Sequence, residues 1–179
     1  MRTVGRGGGY LRVADPSWKD PLDGRHAGRR GGRWNPPESF PVVYLCRTVE
    51  VARAIVRARL RSQPYGPEDL RPETAPTLVR VTVREDRYLN VVTDAGCTAV
   101  GLPRSYPRDG RGRIVPHRRC QPIGERAHER GLPGVAARSA AIPASQRGEE
   151  LAFFGRLGLR RGAVTGFEAW FWEMPAAGA

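Results

Sequence analysis

Leu78-Val79-Arg80-Val81-Thr82-Val83 alternates apolar and polar side chains, and a period of two predicts a half-buried strand. Tyr88 to Val91 is expected to pair with it as a hairpin. A helical period governs Thr48 to Arg61. Val49, Ala52, Val56 and Leu60 fall on one stripe, and Glu50, Arg53, Arg57 and Arg61 on an adjacent, solvent-facing one. Thr48 stands where an N-cap belongs. Short apolar runs at Tyr10–Val13, Val42–Leu45 and Gly134–Ala137 read as strands, Leu151–Phe154 is another short apolar run, and Asp94 to Val100 reads as a short helix. Pro122 suits the first position of a helix that reaches Arg130 and stops at Gly131. Phe167, Trp170, Phe171 and Trp172, within Ala163–Trp172, are expected to close the core by aromatic packing.

Between these elements lie segments rich in Pro, Gly and Asp: a long loop from Asp15 to Phe40, a connection from Pro64 to Pro76, and a basic loop from Pro103 to Pro116. The last is a candidate for a phosphate or partner contact, with a solvated loop as the plainer reading. A length of 179 residues suits one domain. The expected organisation is a flexible N-terminus at 1–9, one domain at 10–174 and a C-terminal tail at 175–179.

Charge changes the picture. The net charge is +12 with a pI near 11.0, so anionic partners are favoured. Lys19 is the only lysine, and the arginines are scattered along the chain, which argues against a dedicated nucleic-acid arm. No direct nucleic-acid site is expected; binding by charge alone would be steeply salt-dependent and indifferent to Arg33. Cys46, Cys97 and Cys120 form no CxxC pair and fit a reducing compartment. His117 and Cys120 have no second pair to complete a metal site, so no metal is expected. No apolar run is long enough to cross a bilayer and no signal sequence is visible, so the expected location is cytoplasmic, without membrane contact.

One stretch stands apart. Gly31-Gly32-Arg33-Trp34-Asn35-Pro36-Pro37 makes a poor helix and a poor strand, yet its prolines stiffen it into a defined loop. Arg33 there could grip a phosphate in a bidentate fork, and Trp34 could stack on a ring, a combination suited to a phosphorylated aromatic molecule. The plainer alternative folds Trp34 into the core and leaves Arg33 solvated.

This stretch and the following Val42-Val43-Tyr44-Leu45, with Tyr10 to Trp18 and Asp20-Pro21-Leu22-Asp23 upstream, resemble the opening half of a RES domain. Gly101-Leu102-Pro103, Cys120-Gln121-Pro122-Ile123-Gly124 and Gly134 to Ala140 continue the resemblance in order, from about Tyr10 to about Phe154. The family is named for an arginine, a glutamate and a serine and is known chiefly as the toxin half of bacterial toxin–antitoxin pairs. The resemblance implies an α+β fold with mixed sheets like those of ADP-ribosyltransferases, flanked by a few short helices. It also implies attack on NAD, as substrate, at the nicotinamide–ribose bond, and control by an antitoxin with a helix-turn-helix DNA-binding part. Carried over by position, Arg33, Tyr44 and Ser139 are the implied catalytic residues, and Arg33, Trp34, Asn35, Tyr44 and Ser139 the implied NAD-binding residues.

The family glutamate belongs in the helix after the tyrosine strand, and Ile55 or Val56 occupies its place. Glu50 points about 120° to 140° away from those positions at about 100° per residue. Glu149, Glu150 and Glu168 are later acids that folding could bring to the pocket, though each reads first as a surface charge. Two functions therefore stand side by side: a NAD-cleaving enzyme, and a relative that binds a nucleotide or protein partner without turnover.

Overall fold

The computed structural model describes residues 1–143 and 146–173. Strands β1 (Thr3–Ala14), β2 (Val42–Cys46), β3 (Thr77–Val91), β4 (Gly134–Arg138), β5 (Glu149–Phe154) and β6 (Leu159–Thr165) form one six-stranded sheet in the order β1-β2-β5-β4-β3-β6. A further pairing of β1 with β3 closes β1, β2, β5, β4 and β3 into a ring. Only the β3–β4 pair is parallel; the other pairs are antiparallel. The mixed sheet with few helices is the α+β architecture expected.

Strand β3 is longer than its pattern suggested. Arg84-Glu85-Asp86-Arg87 contains neither Gly nor Pro and pairs in part with β1, so the chain does not reverse into a hairpin but runs on to Val91. Its first half alternates buried Val81 and Val83 with exposed Arg80, Thr82 and Arg84, whereas Tyr88 to Val91 is buried throughout. The glycine-rich residues before Tyr10, expected to be loose, are the leading half of β1. Thr3 to Arg6 pair with Leu89 to Asp86, and a register shift lies between Arg6 and Gly8. The expected tail at 175–179 lies outside the described residues.

The helices sit in the connections. Helix α1 (Arg25–Arg30) interrupts the long loop expected from Asp15 to Phe40. Helix α2 (Val49–Leu60) starts where Thr48 accepts the Val51 amide, and buries Val49, Val51, Ala52 and Val56 against β1 and the C-terminal aromatics. Arg53 and Arg57 are not simply solvated: Arg53 donates to the Trp170 carbonyl, and Arg57 lies 5.1 Å from the Phe171 ring centroid. Helix α3 (Asp94–Ala99) is capped by Thr93, which accepts the Gly96 amide. Helix α4 (His117–Glu129) begins upstream of Pro122, which therefore stands inside the helix and not at its first position. It packs Cys120, Ile123 and Ala127 onto Trp34, Val91 and Val135. Phe167, Trp170 and Phe171 are core residues, but Trp172 is 49% exposed.

Candidate active site

Strand β2 delivers Tyr44 towards the loop at 31–35, and the two lock together. The Trp34 amide donates to the Tyr44 hydroxyl at 2.9 Å, and that hydroxyl donates to Asn35 Oδ1 at 2.8 Å. Asn35 Nδ2 donates to the Ala27 carbonyl at 2.7 Å, tying the loop to α1. Gly32 is required here, because any Cβ would run into the Tyr44 ring and hydroxyl. Gly124 is required for the same reason, since α4 passes so close that a Cβ would strike the Trp34 carbonyl. Gln121 adds a bond from its amide to the Gly32 carbonyl at 3.0 Å.

These contacts decide what the loop presents. Trp34 is 2% exposed and belongs to the core, where its ring tilts against Tyr106 at 6.0 Å. Asn35 is fully buried, with both ends of its amide engaged. The expectation that Trp34 and Asn35 face a ligand is thus corrected: they shape the loop. The plainer reading holds for Trp34 but not for Arg33, whose Nη1 donates to the Val115 carbonyl at 2.9 Å. The end of the basic loop positions this guanidinium. Within that loop Arg113 pairs with Asp109 at 3.1 Å, and Arg138 donates to the Arg104 and Tyr106 carbonyls.

Arg33 and Tyr44 line a cavity of about 430 Å³, together with Arg12 of β1, Arg30 of α1, Ile55 and Arg59 of α2, His117 of α4 and Glu150 of β5. Among the described lining residues Glu150 is the only acid. Cys46 pairs with Glu150 across β2 and β5, and the neighbouring Tyr44 with Ala152, which brings the two side chains to one chamber. Ser139, 3% exposed at the end of β4, donates to Glu150 Oε1 at 2.5 Å and accepts the Ala141 amide at 3.1 Å. It stands behind Glu150, on the wall of a second cavity of about 270 Å³. Arg33 and Tyr44 therefore share one cavity, whereas Ser139 lies outside it and reaches it only through Glu150.

The electrostatics follow from burial. Glu150 is partly exposed, yet burial raises its carboxyl above the usual range, against the Ser139 hydrogen bond and Arg33, which favour the charged form. Burial likewise pushes the Tyr44 phenol well up, so Tyr44 serves as a neutral donor and acceptor. His117 is shifted down by burial and then by Arg33. Arg12 is 5% exposed, its Nε has no hydrogen-bond partner among the described residues, and burial followed by Arg59 lowers it to about 10. It lies 5.2 Å from the Trp18 ring centroid, as a buried cation on an aromatic platform.

Sequence reasoning named Glu150 but read it first as a surface charge. Its neighbour Glu149 faces the other way, where Arg6 clamps it at 2.7 and 2.8 Å. Strand alternation guarantees that one of two adjacent acids differs in face from the other, but only the register shows which meets the cavity. Among the described residues no cluster of His, Cys, Asp or Glu could hold a metal ion, and Cys120 is fully buried.

A partly closed mixed sheet with an arginine-lined cavity, whose described lining holds one carboxylate, defines a small α+β domain with a cationic pocket. The chain belongs to the RES domain family, whose model matches residues 10–165. Among curated proteins it is similar to the NAD(+) phosphorylase MbcT of Mycobacterium tuberculosis (strain ATCC 25618 / H37Rv) and that of Mycobacterium bovis, each 31% identical over 124 residues. These alignments cover 68% of this chain and 62% of the relatives. Among solved structures it is similar to the crystal structure of the M. tuberculosis MbcT–MbcA toxin–antitoxin complex. That match has a TM-score of 0.74 at 26% identity and covers 92% of this chain and 86% of the other.

Proposed function

We propose that this protein binds NAD in the arginine-lined cavity and cleaves its nicotinamide–ribose bond. The observation that carries the reading is the convergence of Arg33, Tyr44 and a carboxylate on one chamber, in a family whose similar members are named for NAD phosphorolysis. Arg33, Arg12 and Arg59 suit the pyrophosphate, since guanidinium groups in a partly closed cavity bind phosphate oxygens strongly. Tyr44 holds the loop that carries Arg33.

In the reaction the C1′–N bond breaks and its electron pair stays on the nicotinamide nitrogen, which becomes neutral. The positive charge passes to the ribose as an oxocarbenium-like cation. An acceptor oxygen, from phosphate or from water that then loses a proton, forms the new bond to C1′. Orientation of the dinucleotide and a negative charge near the ribose are what a protein must supply. Phosphate is the acceptor to test first, given the relatives' name.

An antitoxin partner follows from the similar complex. A helix-turn-helix part in that partner and a cytoplasmic site of action complete the reading. No helix among the described residues is long and apolar enough to cross a membrane.

The test is nicotinamide release from NAD by purified protein, with and without phosphate, beside Arg33→Ala. Release that depends on Arg33 supports the enzyme. Absence of release with Arg33-dependent NAD binding would favour the non-catalytic relative, a reading that the apolar Ile55 in the cavity wall keeps alive.

A further inference from the structure

The arginines of the cavity wall suit a phosphorylated ligand, but a phosphate site alone has no use for a carboxylate. Glu150 would repel the pyrophosphate, and burial makes its charge costly. The acid is nevertheless held firmly. Ser139 donates to it at 2.5 Å, and Ser139 is itself fixed by accepting the Ala141 amide at 3.1 Å. It makes no ion pair within 4.0 Å among the described residues, so it does not serve to neutralise one of the neighbouring arginines. Across the cavity, α2 presents Ile55 and, one turn on, Arg59. That wall offers no negative charge.

We infer that Glu150 is the catalytic carboxylate of this protein: it faces the ribose from strand β5 and stabilises the positive charge that develops there as nicotinamide leaves. The assignment rests on the reading of the cavity as a NAD-cleaving site. Ser139 is then a positioning residue, fixing one carboxylate oxygen so that the charge is aimed before the reaction begins. No bond forms to Glu150 in this role. The electron pair leaves with nicotinamide, the acceptor oxygen closes on C1′, and the carboxylate acts through its field. The apolar Ile55 becomes intelligible, because a second carboxylate in the same chamber would favour protonation of one of the two.

The experiment measures nicotinamide release and NAD affinity for wild type, Glu150→Gln, and the double variant Glu150→Gln/Ile55→Glu, with a melting curve for each. Gln keeps an oxygen to accept from Ser139, so the fold is retained. The expected result is a fall in kcat of about 100- to 1,000-fold for Glu150→Gln, with NAD affinity equal to or tighter than wild type. The double variant, which returns a carboxylate to the cavity from α2, should recover about tenfold or more of the lost rate. A purely structural Glu150 would show no such recovery. If Glu150→Gln turns over within about threefold of an active wild type, Glu150 is not the catalytic acid, while the NAD-cleaving function stands. If wild type itself releases no nicotinamide, the enzymatic reading fails and this assignment fails with it.

Discussion

The Ser139 hydroxyl lies 2.5 Å from Glu150 Oε1 and commits its single proton to that carboxylate. A serine so engaged has no donor left for a ligand, and its influence reaches the cavity through the acid it holds. Groups facing Glu150 from elsewhere are Arg33 on its loop, Arg12 on β1, Tyr44 on β2, Arg59 on α2 and His117 on α4.

Ser139→Ala is expected to move the acidic limb of the pH–rate profile to higher pH. The Ser139 hydrogen bond lowers the Glu150 proton affinity, so its removal leaves burial less opposed. The rate rises with pH as Glu150 ionises, and in Ser139→Ala that rise should begin later. An unmoved limb would detach the serine from the acid.

Glu150→Gln should melt at or above the wild-type temperature near neutral pH, despite its loss of activity. A carboxyl whose folded pKa is raised gives stability that is present below its unfolded pKa and lost as pH rises through the folded one. Above its raised folded value the ionised Glu150 is therefore a burden that Gln removes. The advantage should shrink as the pH falls below the usual carboxylate range, in melts across an acidic series. A variant markedly less stable at every pH would mean that the acid is part of the scaffold.

Tyr44→Phe removes both the acceptor of the Trp34 amide and the donor to Asn35. Leaving such buried groups unsatisfied costs about 1–3 kcal/mol, readable in urea unfolding. Arg33 sits on the same loop, so dinucleotide affinity by calorimetry should fall with it. Unchanged stability would show that the hydroxyl latch is dispensable.

Arg12→Met tests the buried guanidinium. Methionine fills similar space without the cost of a buried charge whose Nε is unsatisfied among the described residues, so the melting temperature should rise. Pyrophosphate and NAD should both bind more weakly, by about tenfold, if the charge contributes to the anion site. Equal affinity would remove Arg12 from that site.

Local pattern carried the elements with local causes. The stripe of Val49, Ala52 and Val56 and the cap at Thr48 placed α2 within a residue, and alternation placed the first half of β3. It failed where distant partners decide. Arg84 to Arg87 stays extended because β1 lies beside it, which no short window reveals. The helix around Pro122 begins earlier than the proline suggests. At the candidate site, motifs singled out Arg33 and Tyr44, which line one cavity, and Ser139, which stands behind its carboxylate. Trp34 and Asn35 were misread as ligand groups, because exposure depends on α1, β2 and α4 closing around them. The choice of Glu150 over Glu149 depends on strand register alone.

The ring of strands has a consequence for motion. Tyr44, Ser139 and Glu150 sit on or at the ends of β2, β4 and β5, which hydrogen-bond to one another and through β3 and β1 back to β2. No strand in that circuit can peel away without breaking two ladders. Backbone amides of β2 and β5 should therefore resist deuterium exchange until the whole domain opens, while those of the 103–116 loop exchange early. The reactive chamber and the folded state would then share a single opening event, so a partner that holds the domain closed protects the chemistry and the protein's lifetime together.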